Sequence, residues 1–181
     1  MVSLPPFESG PHHPGVLLEL PNQHRIPVTW LLESAGECIR YRTLTELAPV
    51  GHAAPETIEA ARVALEGSKA ALAVIKKQKE TGVWGGNLLG LAPAPAHGIK
   101  DVGTIPQYRR LLELRWPKAS RQFKLADRIL YRVISRDEDP ILLFEFQKLV
   151  KSEPAARGWA RGVWREAGSS ALAEAGHLED P

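Results

Sequence analysis

From Val28 onward the apolar positions of the chain recur at helical intervals, and no stretch alternates with the two-residue period of a strand. The clearest series is Ile58, Ala61, Leu65, Ser68, Leu72 and Ile75, stepping by three and four residues, which predicts one long helix from about Pro55 to Lys79. Pro55 suits the first turn, where the amide it lacks would be unpaired anyway. Gly67 is the weak point, at a cost of about 1 kcal/mol relative to alanine. Upstream, Trp30, Leu31 and Leu32, then Ile39, Leu44 and Leu47, predict two short helices divided at Ala35 and Gly36, with Pro49 closing the second.

Downstream, Thr104 is placed to cap a helix ending before Pro117, with Ile105, Tyr108, Leu111 and Leu112 inside. Ala119 to Ser135 predicts the next, turning Phe123, Ala126, Ile129, Leu130, Val133 and Ile134 inward. Asp139 and Pro140 form a cap and first turn for a helix carrying Leu142, Leu143, Phe146 and Leu149. A last helix begins after Pro154 and closes at Gly176, offering Trp159, Val163, Ala167 and Leu172 for burial.

Two segments interrupt this pattern. Residues 1–27 hold six prolines, which remove backbone donors and fix φ, so they read as a proline-rich N-terminal arm. The loop from Glu80 to Gly103 holds six glycines and two prolines; at that length it is expected to be functional, folded tightly on itself or mobile. The expected fold is therefore all-α, a set of paired antiparallel helices over residues 28–181. Glu138-Asp139-Pro140 recurs as Glu179-Asp180-Pro181, a spacing of 41 residues, within the range of α-hairpin repeats. Because Asp180-Pro181 starts a helix that does not follow, the repeat domain is expected to be incomplete and to continue past this chain.

Composition narrows the class. The chain is 44% hydrophobic and 24% charged, as for an ordinary globular domain, and its single cysteine, Cys38, gives neither a disulfide framework nor a paired-thiol metal signature. No run of about 18 apolar residues predicts a membrane span, and the start lacks the pattern of a signal peptide, so a cytoplasmic location is expected. The histidines, His12, His13, His24, His52, His97 and His177, lack the spacing that holds zinc and are expected on surfaces and loops. No metal or cofactor is expected. Gly82, Gly85, Gly86 and Gly90 lack the lysine and preceding strand of a phosphate loop. Asp137, Glu138 and Asp139 are adjacent and point apart, unlike the convergent carboxylates that acid–base chemistry requires.

One short motif is specific. Gln78-Lys79-Glu80-Thr81-Gly82-Val83-Trp84 reads Q-x-x-x-G-x-W. In it a glutamine at a helix end can bond backbone groups of a neighbouring helix, glycine permits the reversal, and tryptophan buries a large face. The motif resembles the QW repeat of squalene-hopene and oxidosqualene cyclases, and of the wider terpenoid cyclase and protein prenyltransferase superfamily of α/α toroids. The lead-in Trp30-Leu31-Leu32-Glu33 and Ile39-Arg40-Tyr41-Arg42-Thr43-Leu44 is similar to that of uncharacterised bacterial proteins with a toroid-like organisation. The resemblance implies an α/α toroid or α-solenoid in which Gln78, Gly82 and Trp84 staple adjacent helix pairs. It does not carry the enzymes' chemistry across: the cyclases' D-x-D-D acid motif is absent, and Cys38 has no evident partners for a prenyltransferase zinc site.

Charge is unevenly placed. Lys100 to Arg136 carries ten Lys or Arg against three Asp or Glu, a net +7 in a chain whose formal charge is +2. Within it Arg121, Lys124, Arg128, Arg132 and Arg136 step by three and four and form a ridge opposite the apolar stripe. The ridge reads either as a solvated outer face moderated by Asp127 or as a surface for an anion such as a phosphate backbone. The function expected is a non-catalytic helical scaffold or binding module. Its partner would be another protein, further repeats or a polyanion. The alternatives are an isoprenoid- or terpenoid-handling cyclase-like protein and a nucleic-acid-binding helical repeat.

Overall fold

A computed structural model describes residues 26–47, 53–93, 95, 100–135 and 147–177 of the 181-residue chain. Its described residues form eight α-helices and no strand. Two short helices, α1 (Val28–Ser34) and α2 (Glu37–Arg42), meet at Ala35 and Gly36, and α2 runs on into a π-helical turn at Thr43–Leu47. Then come α3 (Pro55–Glu66) and α4 (Lys69–Ile75), α5 (Thr104–Glu113), α6 (Arg121–Ile134), α7 (Gln147–Ser152) and α8 (Arg157–Ala175). The proline-rich arm up to Arg25, the Asp139-Pro140 start and the Glu179-Asp180-Pro181 recurrence lie outside the described residues.

The single helix expected from Pro55 to Lys79 is two. At Gly67 and Ser68 the chain leaves helical geometry, and Ser68 takes an extended turn with its side chain buried against the Cys38 thiol, Oγ to Sγ 3.4 Å. The break falls on Gly67, the residue with the poorest helix propensity in the interior of the segment. It also resets the phase, so α4 buries Ala71 and Val74 while Leu72 and Ile75 sit half-buried at the edge.

The core gathers where α5, α6 and α8 meet the end of α4. Helix α6 lies antiparallel to α8: the Lys118 ammonium, just before α6, donates to the Ala175 carbonyl at the end of α8, whereas Gly168 sits beside Val133 and Ile134 at the far end. Tyr108 of α5 meets Phe123 of α6 edge-to-face, with ring centroids 5.0 Å apart. Leu65, Leu88, Ile105, Leu111, Leu130 and Trp164 close the core. The end of α8 is set by Gly176 at φ 96°, whose amide and that of His177 return to Ala173 and Leu172 in the paired bonding of a Schellman cap.

In α8 the buried stripe is Ala160, Trp164, Gly168, Ala171, Leu172 and Ala175. Trp159, expected inside, is 57% exposed, and Val163 and Ala167 are half-buried. The small residues Gly168 and Ala171 explain the choice, since they let α8 approach the aliphatic side chains of α6 closely.

Candidate functional site: the Gln78–Trp84 turn and the outer face of α6

Directly after α4 the chain reverses over Gln78 to Trp84. Gln78 and Trp84 face each other as a single antiparallel bridge, the Lys79 amide donates to the Val83 carbonyl at 2.9 Å, and the Gly82 amide to the Lys79 carbonyl at 2.9 Å. The reversal requires Gly82. Its φ is 95°, and a Cβ there would stand 2.4 Å from the carbonyl oxygen of Leu125 on α6. Glycine therefore both turns the chain and lets the turn touch the backbone of the neighbouring helix.

The side chains complete the contact. The Gln78 amide donates from Nε2 to the Gly82 carbonyl at 3.0 Å and to the Gln122 carbonyl, in the first turn of α6, at 2.9 Å. Trp84 is 1% exposed and its indole Nε1 donates to the Val74 carbonyl of α4 at 2.8 Å. Its backbone is held in turn by Thr104: the Trp84 amide donates to Thr104 Oγ1 at 3.1 Å, and the hydroxyl returns to the Trp84 carbonyl at 3.4 Å. Thr104 is thus not the cap of α5, a position Gly103 occupies; it is a fully buried clamp on the tryptophan. In these few residues α4, α5 and α6 are joined.

The loop that follows is folded on itself over its described residues. Asn87, buried, donates from Nδ2 to the Asp101 carbonyl at 2.7 Å and accepts the Gly90 amide at 2.8 Å. Its own carbonyl and that of Leu88 receive the amides of Thr104 and Ile105, which open α5. An asparagine and not the glycines closes this loop, because the Asn87 amide can donate and accept at once.

A second polar group lies where α5 and α6 meet the end of α8. Tyr108, fully buried, donates its hydroxyl to Asp127 Oδ1 at 2.6 Å, and His177 Nε2 lies 3.4 Å from Asp127 Oδ2. The His177 ring stands edge-on to Tyr131. Burial, and then the bond to Asp127, push the Tyr108 hydroxyl well above the ordinary tyrosine range. His177, expected on a surface or loop, lies just after α8 and joins this group; the remaining histidines lie outside the described residues. On the flank of α5, Arg109 pairs with Glu174 and Ser170 of α8. Arg42 and Arg115 share the carboxylate of Glu46, and those hydrogen bonds, from Arg42 first, hold Glu46 below the usual carboxylate range.

The expected basic ridge is on the outside of α6. Arg121, Lys124, Arg128 and Arg132 are all exposed, while Phe123, Ala126, Leu130 and Val133 are buried on the opposite side; Arg136 lies outside the described residues. Asp127 does not moderate the ridge as expected. Its carboxylate is turned toward Tyr108 and His177 with 15% of the side chain exposed.

Among the described residues, open cavities of about 300 Å³ include two of note. One, between α2 and α3, is lined mainly by Leu32, Leu44, Ala61 and Ala64. The other lies beside the loop, among Lys77, Lys79, Asp101 and Gln107. Among the described residues no three His, Cys, Asp or Glu are grouped to hold a metal ion, and no helix is long and apolar enough to cross a membrane. Comparison of the chain with family models, with curated proteins and with solved structures gives no match in any of the three.

Proposed function

We infer that the chain is a non-catalytic helical scaffold or binding module of toroid type. The observation that carries this reading is the turn from Gln78 to Trp84. Its amide and indole donors are spent on backbone carbonyls of α4, α6 and the turn itself, which makes the motif a tie between helices. That is the role the QW repeat has in the toroids it resembles. Among the described residues, Tyr108, Phe123 and Trp164 are buried in packing, and Asp127 faces Tyr108 and His177.

Native mass spectrometry of the purified chain, followed by incubation with squalene or farnesyl diphosphate, tests this. The expected result is a polypeptide mass without an isoprenoid adduct, and both compounds recovered unchanged. An isoprenoid adduct or a converted product overturns the reading in favour of an isoprenoid-handling protein.

A further inference from the structure

We propose that the outer face of α6 docks the phosphate backbone of a nucleic-acid strand. Three cations, Arg121, Lys124 and Arg128, stand exposed along one side of α6, and Arg132, also exposed, follows them. At a rise of about 1.5 Å per residue these three span about 10 Å, the axial length of roughly three phosphates of one strand. The one acid of the helix, Asp127, is withdrawn from the row by Tyr108 and His177. Tyr131 lies three residues after Arg128 and four after Asp127, and it is half-buried against the His177 ring at the margin of the row.

The form of the surface selects the occupant. None of the cavities among the described residues is lined by these cations, which follow a line along the helix and do not converge on a point. An anionic membrane asks for a basic helix with apolar side chains free to enter the headgroup region. Here the apolar side of α6 is closed into the core, with Phe123 and Val133 at 2% and Ala126 and Leu130 at 0% exposure, and the exposed large hydrophobic residues described are all on other elements. A linear polyanion with regularly spaced charges is what remains, and the proposal stands whether or not the chain is a toroid.

The test is fluorescence anisotropy of a labelled, mixed-sequence single-stranded DNA of about 20 nucleotides with the full chain, between about 50 mM and about 200 mM salt. Three contacts, from Arg121, Lys124 and Arg128, predict a slope of log affinity against log salt of about −2, an affinity loss of roughly 20-fold across that range. Each of Arg121→Gln, Lys124→Gln and Arg128→Gln should lower the slope by about 0.7, while Lys69→Gln and Lys76→Gln on the surface near α4 should leave it unchanged. Circular dichroism melting of every variant separates lost binding from lost folding. Absence of binding at about 50 mM salt overturns the proposal, as does an equal loss in the α4 variants. Stronger retention on phosphatidylserine vesicles or by polyglutamate than by the DNA also overturns it, by assigning the face to a membrane or an acidic polypeptide.

Discussion

Replacing Trp84 by alanine should be among the most damaging single changes in the described part of the chain. The side chain is 1% exposed, and an indole of this kind takes about 200 Å² out of water, worth about 5 kcal/mol at about 25 cal/mol per Å² before the methyl that alanine retains is deducted. The indole also donates to Val74, whose carbonyl keeps a second donor, the Lys77 amide at 3.1 Å, so losing that bond adds only about 1 kcal/mol. The expected cost is about 3 to 5 kcal/mol, a large share of a domain's net stability. Trp84→Phe keeps much of the packing and should isolate the smaller hydrogen-bond part. Gln78→Ala removes two bonds to carbonyls, at about 1 to 3 kcal/mol. Gln78 and Trp84 pair across one bridge, so the double variant should lose less than the two single losses added together. The assay is urea unfolding followed by circular dichroism, because five tryptophans make fluorescence ambiguous. A Trp84→Ala chain that unfolds within about 1 kcal/mol of the parent refutes the reasoning.

Two further outcomes are expected. Trp164→Ala should cost about 3 to 5 kcal/mol and Trp159→Ala less than about 1 kcal/mol, since the first is fully buried and the second is 57% exposed; comparable urea midpoints for the two variants would contradict the assigned face of α8. Tyr108 should ionise well above the ordinary tyrosine value of about 10, so the tyrosinate absorbance near 295 nm that Tyr108→Phe removes should be a part that develops only well above that value. Its folded pKa is raised, so the stability linked to it is fully present below the unfolded pKa and is lost as pH rises above that value; Tyr108→Phe should flatten this alkaline loss of stability.

Much of the all-α architecture was legible because helical periodicity survives in sequence wherever one face is apolar. The two short helices around Ala35 and Gly36, the boundaries of α5, α6 and α8, and the closing role of Gly176 all follow from that pattern and from local stop signals. The contact between Gln78 and Trp84 was legible for a different reason. Its glutamine, glycine and tryptophan lie within seven residues, so the chemistry that closes the turn is written contiguously.

What was not legible depends on which neighbour a helix meets. In α8 the bulky Trp159 and Val163 suggested one face, but α6 accepts the adjacent face, where Gly168 and Ala171 permit close approach and Trp164 fills the space. Size in the sequence therefore misled by one residue, about 100° of helix. In α3 and α4 the apolar series runs unbroken through Gly67 and Ser68, because a two-residue break changes phase by an amount that periodicity over so few turns does not resolve. Tyr108, Asp127 and His177 come from three elements and share no local pattern; only the packing of α5 against α6 and α8 brings them together. That same packing withdraws Asp127 from the outer face of α6. The charge of the exposed row is therefore set by tertiary structure as much as by the arginines and lysine themselves, and a count of acids along the sequence understates how basic the face is.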